Sequence, residues 1–250
     1  MQDYVSADGV RAILLLVLAV GQAFVAYWPE IRKWDHTISG RSAALDTLVV
    51  PFGPFFAIWL IIFGSCIVFA IWHALPENLD DPYLRSVGWL AAALFAGNIA
   101  WEAYVPRYGF KWPSVFLIIL ELALAVALLA KLQSFVTQLY GIAYWLGAAP
   151  LYFFAGWLSV AVFASLSSTL VLCRAPLDPR QTRFAVPLIA AACLVVTTLS
   201  VWTTSWVYAS SAFWGLAGIV VGAWIKKRPA TSIAAAAAST ASLATALVVT

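Results

Sequence analysis

Four aromatic residues have a spacing that would place them on one face of a helix. They are Phe52, Phe56, Trp59 and Phe63, separated by four, three and four positions. Residues three or four positions apart lie on the same side of an α-helix. The spacing therefore predicts an aromatic wall, and large rings of this kind can stack on a flat apolar molecule.

Two further groups have helical spacing. Asn98, Trp101 and Glu102 stand at i, i+3 and i+4, which puts an amide, an indole and a carboxyl on one face. A later stripe combines one large ring with three small residues, namely Trp157, Ala161, Ser165 and Ser168. Small residues permit close packing of helices, so this stripe fits a packing role and a ligand-facing role equally well.

The sequence offers little for other kinds of chemistry. The three cysteines have no CxxC or Cys/His spacing, so we expect no disulfide framework and no metal site. No nucleophile and base pair and no nucleotide motif stands out. The net charge of +3 comes from scattered basic residues rather than a basic stripe, which argues against nucleic-acid binding.

The composition indicates that lipid surrounds the elements carrying these residues. Hydrophobic residues make up 64% of the chain and charged residues 10%, and the mean hydropathy is +0.93. Backbone polar groups must be satisfied internally in hydrocarbon, and the long apolar runs favour helices over short alternating strands. We predict an all-α transmembrane bundle of about eight spans, with seven as the alternative. The spans lie near 12–28, 52–75, 87–105, 113–132, 150–172, 183–202, 206–225 and, least apolar, 230–250.

Lysine and arginine are distributed unevenly between the connections. Eleven fall in the odd-numbered loops, and three fall at the N-terminus and in the even-numbered loops. This asymmetry predicts that the odd loops are cytoplasmic and that both termini lie on the other side of a multi-pass membrane protein. Loop one, residues 29–51, is the longest connection and is either a functional lid or a solvated connector.

Acidic groups inside apolar helices call for a partner. Glu121 lies near the middle of the fourth span, where a lipid-exposed acid would cost about 2.5 to 3.5 kcal/mol. We expect it to face the bundle, as a proton carrier, a ligand contact, a partner for a hydroxyl or a hydrogen-bonded core carboxyl. Glu102 and His73 are nearer to helix ends, so we expect their side chains to reach the interface.

Three segments carry a resemblance to a known family. These are Pro51-Phe-Gly-Pro-Phe-Phe56-Ala-Ile-Trp59, Asn98-Ile-Ala-Trp101 and Pro150-Leu-Tyr-Phe-Phe-Ala-Gly-Trp157-Leu-Ser-Val-Ala161. They resemble motifs on the second, third and fifth helices of the tryptophan-rich sensory protein (TspO/MBR) family, in the same order. The resemblance covers about residues 10–172. It suggests a five-helix core, residues 1–172, followed by a three-helix extension, residues 173–250.

The resemblance implies a pocket inside the core, covered by loop one, that binds a tetrapyrrole such as protoporphyrin IX or a sterol-like molecule and serves a sensory or regulatory role. No cofactor is required beyond such a ligand. The implied ligand-binding residues are Phe52, Phe56, Trp59, Phe63, Asn98, Trp101, Glu121 and Trp157. Asn98 and the loop-one cations Arg32, Lys33 and Arg41 are expected to meet the ligand's propionates. Counted along their helices at 1.5 Å per residue, Trp59 and Trp157 differ in depth by about 10 Å, so contact with one ligand atom is not expected.

Several other functions remain open at this stage. Some family members degrade porphyrins in the light, and Trp59 and Trp157 are the catalytic candidates if this chain is such an enzyme. A non-catalytic subunit or assembly factor of a larger membrane pigment complex is another hypothesis, and a transporter is a weaker one. Gly218 and Gly222 form a GxxxG motif, which serves internal packing or a homodimer interface.

Overall fold

A computed structural model describes residues 6–34, 36–45, 47–174 and 180–228. The helices are α1 (Ala7–Ile31), α2 (Ile38–Leu45), α3 (Ile58–His73), α4 (Pro82–Tyr108), α5 (Trp112–Gln133), α6 (Ala149–Arg174), α7 (Arg180–Thr203) and α8 (Trp206–Ile225). A 3₁₀ turn, Gly53–Ala57, leads into α3. A π-helical segment, Ala143–Ala148, leads into α6.

The all-α membrane bundle predicted from composition is confirmed. Among the described residues, six helical segments are long and apolar enough to cross a membrane, so the chain is a multi-pass integral membrane protein. Helix α4 is not among the six and carries Asn98 and Glu102, but it packs between α1 and α5. Seven predicted spans thus coincide with long helices, and the eighth, 230–250, lies outside the described residues.

Polar and proline residues set the helix ends as expected from their chemistry. The Ser6 hydroxyl accepts a hydrogen bond from the Gly9 amide at 3.2 Å at the start of α1. The Asp81 carboxylate accepts one from the Leu84 amide at 2.9 Å at the start of α4. These side chains satisfy amides that have no partner within the helix.

Five helices close into a ring. Going round, α1 packs on α4, α4 on α5, α5 on α6, α6 on α3, and α3 back on α1. The main apolar core fills this ring. Helix α8 packs along the outer side of α6, and α7 contacts both.

The segment before α3 runs into the bundle beside α8. The Phe52 amide donates to the Gly218 carbonyl at 2.9 Å, and the Lys226 ammonium donates to the Thr47 carbonyl at 2.7 Å. A Cβ on Gly218 would lie 2.8 Å from the Pro51 side chain. The GxxxG glycine therefore packs internally against loop one, which is one of the two roles expected for the motif. The division of the chain at residue 172 remains a prediction.

His73 is fully buried, so the prediction that its side chain reaches the interface is wrong. The Arg11 guanidinium of α1 donates to the His73 imidazole at 2.9 Å and to the Leu79 carbonyl at 2.8 Å, and it pairs with Asp8. Gly88 makes room for both side chains, since a Cβ there would lie 2.6 Å from each. The histidine accepts a hydrogen bond from a buried arginine through Nε2 instead of reaching water, while its Nδ1 atom has no partner among the described residues.

Candidate functional site

Two adjoining cavities lie at the end of the ring near loop one. The inner cavity, about 410 Å³, is bounded mainly by loop one, α4, α5 and α6. The lateral cavity, about 730 Å³, lies between α1, α3 and α4. They share four lining residues, namely Ile38, Phe56, Trp59 and Trp101.

The aromatic wall predicted from spacing is present, except for its first member. The rings of Trp59 and Phe63 stack with centroids 5.1 Å apart, and Phe56 meets Trp157 edge-on at 5.9 Å. Phe52 does not belong to the wall, because it precedes the 3₁₀ turn in an extended conformation and is 39% exposed. Helical spacing does not apply before the helix begins.

Trp59 and Trp157 are in contact, with ring centroids 5.9 Å apart at 78°. The expected difference in depth of about 10 Å is therefore wrong, because α3 does not begin at the end of the bundle. Phe52 bonds to Gly218, which lies seven residues before the end of α8 at Ile225. At the helical rise of 1.5 Å per residue, this hydrogen bond places the start of the second span about 10 Å from the end of α8, inside the bundle.

The stripe on α6 faces the inner cavity. Trp157, Ala161, Ser165 and Ser168 all line it. Trp157 is 2% exposed and its indole nitrogen has no hydrogen-bond partner among the described residues, and the same holds for the Ser165 hydroxyl. A buried donor left without an acceptor costs about 1 to 3 kcal/mol. These groups would gain from a ligand that brings hydrogen-bond acceptors.

Helix α4 contributes a second polar edge. Trp101 lines both cavities, and its indole nitrogen also lacks a partner within the described ranges. Glu102 lines the lateral cavity and is only 2% exposed. The expectation that Glu102 reaches the interface is wrong, because the Asn98 amide, one helical turn away, donates to Glu102 Oε1 at 3.0 Å.

Behind Glu102 the polar contacts continue away from the cavities. Asn98 also donates to the Gln22 side chain of α1 at 3.1 Å. Glu121 is 1% exposed and faces the bundle as expected, beside Gly97 of α4. Neither Asn98 nor Glu121 lines either cavity. Their predicted roles as direct ligand contacts remain untested predictions.

Loop one closes over the cavities without bringing a cation into them. Ile38 and Ser42 of α2 line the inner cavity. Arg41 donates to the Pro106 carbonyl at 2.9 and 3.0 Å, which fastens α2 to the end of α4. Arg32 lies over the Trp28 ring at 4.8 Å. The described residues that line the two cavities include no lysine, arginine or histidine.

Tertiary packing adds wall residues that spacing did not indicate. Tyr27 and Glu30 come from the end of α1, and Phe110 and Ile118 flank the start of α5. The two pairs lie in different helical runs, so no local pattern links one pair to the other. Within the described ranges, no three His, Cys, Asp or Glu side chains come close enough to hold a metal ion.

Comparison with known proteins gives one match. The model of the family described as TSPO-like protein matches residues 12–250. No curated protein matches the chain. No solved structure matches it either. The family match includes residues beyond 172, so it extends past the region in which the motifs were found. The chain belongs to the TSPO-like protein family.

Proposed function

We propose that this membrane protein binds a flat lipophilic ligand, of the tetrapyrrole class implied by the resemblance, in the two adjoining cavities. The main support for the proposal is an aromatic wall in which Phe56 and Trp59 both contact Trp157 at the inner cavity. The indole N–H of Trp157 has no hydrogen-bond partner among the described residues. Rings at these angles leave faces and edges for a planar guest, and each aromatic contact contributes about 0.5 to 1.5 kcal/mol beyond burial.

A sensory or regulatory role would follow from the position of loop one. Ile38 and Ser42 form part of the cavity lining, while His36 and Gly40 on the same loop are exposed. A bound ligand would therefore contact a segment whose other side is free to meet a partner. Ligand binding would stabilise the closed arrangement of this loop by mass action.

The binding proposal can be tested with the purified protein in lipid nanodiscs. Protoporphyrin IX is titrated in the dark and followed by its own visible absorbance, so that tryptophan substitutions do not remove the signal. We expect Trp157→Leu and Trp59→Leu to weaken binding about 3- to 10-fold each. Trp89→Leu is the matched control, because Trp89 is 49% exposed and lines neither cavity. Equal affinity in all four proteins would refute the proposal.

The loop-one proposal has its own test. Trypsin can cleave at the exposed residues Arg32 and Lys33. We expect a saturating ligand to slow this cleavage and to leave cleavage after the exposed Lys131 unchanged. Identical cleavage rates at Arg32 and Lys33 with and without ligand would show that binding does not act on loop one.

A further inference from the structure

Glu102 lines the lateral cavity and carries a carboxylate oxygen that has no hydrogen-bond partner within the described ranges. Its Oε1 atom accepts from Asn98 at 3.0 Å, whereas Oε2 has no partner among the described residues. The side chain is 98% buried and lines the cavity wall. A buried acceptor of this kind is costly unless a donor reaches it, and an ionised one needs a positive partner.

The walls around Glu102 are aromatic. Rings of Tyr27, Trp59, Phe63 and Trp101 line the same cavity. The negative faces of such rings attract a cation, most strongly where water is excluded. The remaining charged wall residue, Glu30, is also an acid. One end of the ligand site therefore combines acids and aromatic faces, and none of its described wall residues is basic.

This arrangement suits a positive head group and disfavours a negative one. A carboxylate ligand group placed beside an ionised Glu102 would meet a like charge, whereas a protonated amine would favour the ionised form and make a charge-assisted hydrogen bond with Oε2. The Asn98 amide would hold Glu102 Oε1 in place while Oε2 binds the ligand. Acceptor groups of the same ligand would find the donors of Trp101 and Trp157 at the inner cavity.

We propose that the ligand of this site is a flat lipophile carrying a protonated amine, which binds to Glu102 Oε2 within the aromatic end of the lateral cavity. This inference rests on the proposed function, because it assigns the polar end of the same ligand. Any anionic groups that the ligand has, such as propionates, must point away from Glu102, towards the loop-one end where Arg32 and Lys33 are exposed.

Three probes with the same planar ring system test the head group alone. They are 1-pyrenemethylamine, 1-pyrenemethanol and 1-pyrenecarboxylate, which are cationic, neutral and anionic at pH 7. Binding is measured by energy transfer from tryptophan to pyrene in nanodiscs of zwitterionic phosphatidylcholine, with protein-free nanodiscs subtracted. We expect the amine to bind at least about tenfold more tightly than the carboxylate.

The variant Glu102→Gln should weaken binding of the amine by about tenfold or more and change binding of the alcohol by less than about threefold. Glu77→Gln is the matched control, because it makes the same change in an exposed acid that lines neither cavity. It should leave the amine affinity within about threefold of wild type. If Glu102→Gln does not fold, equal affinities of the three probes in the wild-type protein, or a preference for the carboxylate, would still refute the inference.

The outcomes separate this inference from the proposed function. If none of the three probes binds but protoporphyrin IX does, the inference fails and the proposed function stands; if protoporphyrin IX does not bind either, both fail. If all bind and their affinities are equal, or the carboxylate binds best, the aromatic cavity stands and the role of Glu102 is refuted. If the amine is preferred but Glu102→Gln leaves that preference intact, the cation binds elsewhere and the inference fails.

Discussion

The crossing of α6 and α8 makes a sharp prediction about Gly156. A Cβ added at Gly156 would lie 2.3 Å from the backbone carbonyl oxygen of Tyr208, where ordinary contact begins at 3.4 Å. The two helices would have to separate by about 1 Å, because a backbone atom cannot rotate away as a side chain can. The Tyr208 hydroxyl, which donates to Ser159 at 2.8 Å, resists the same movement.

We expect Gly156→Ala to lower the free energy of unfolding by about 1 to 3 kcal/mol, the usual cost of overpacking a buried contact. The assay is unfolding in dodecyl maltoside micelles with increasing dodecyl sulfate, followed by helical circular dichroism. Gly64→Ala is the matched control. It lies on α3, and an added Cβ would have no neighbour within 4 Å, so it should be neutral or stabilising by up to about 1 kcal/mol. Equal stability of the two variants would refute the close crossing.

Three further predictions concern other parts of the molecule. Arg11→Met leaves buried hydrogen-bond acceptors without their donor and should destabilise the protein by about 3 to 5 kcal/mol. Arg85→Met breaks a pair whose arginine is 49% exposed and should cost much less. Comparable losses in the unfolding assay would contradict this. Trp214→Phe removes the hydrogen bond from the indole to the Phe55 carbonyl, which is 2.8 Å long. It should lower the free energy of unfolding by about 0.5 to 1.5 kcal/mol and weaken probe binding. An unchanged free energy of unfolding and an unchanged affinity would show that α8 does not support the site. In a cysteine-free background, a single cysteine in place of the exposed Ser39 should react with an impermeant thiol reagent only from the cytoplasmic side. A single cysteine in place of the exposed Gln138 should react only from the other side. The reverse pattern would contradict the orientation predicted from charge.

The helices could be predicted because each depends on a local property of the chain. Six helices in the described part of the chain are long and apolar enough to cross hydrocarbon, and prolines in first turns, such as Pro82 and Pro113, mark where helices begin. Aromatic residues at helical spacing placed Phe56, Trp59 and Phe63 on a common wall for the same reason.

What could not be predicted depends on tertiary partners. Glu102 was expected to reach the interface on the basis of its position along the helix, but Asn98 and the neighbouring α1 bury it. His73 was misplaced because its partner, Arg11, is 62 residues away in sequence. Trp59 contacts Trp157 because hydrogen bonding to α8 places the chain before α3 inside the bundle. The sequence of one helix alone does not predict this position.

The extension beyond residue 172 has a physical role in the site that its sequence did not suggest. Helix α8 holds Phe52 through the Gly218 carbonyl and holds Phe55 through Trp214. These contacts fix the turn that presents Phe56 to both cavities. The family match, over residues 12–250, includes this part of the chain.

Filling the inner cavity tests the central claim most directly. Ala161 is a small residue on its wall, and Ala161→Phe would occupy the space beside Trp157 that we assign to the ligand. The measurement is the equilibrium affinity for protoporphyrin IX in nanodiscs, with Ala123→Phe on the exposed side of α5 as the control. We predict that Ala161→Phe weakens binding about tenfold or more, while the control binds as the wild-type protein does. Equal affinity in a folded Ala161→Phe protein would contradict ligand binding in this cavity.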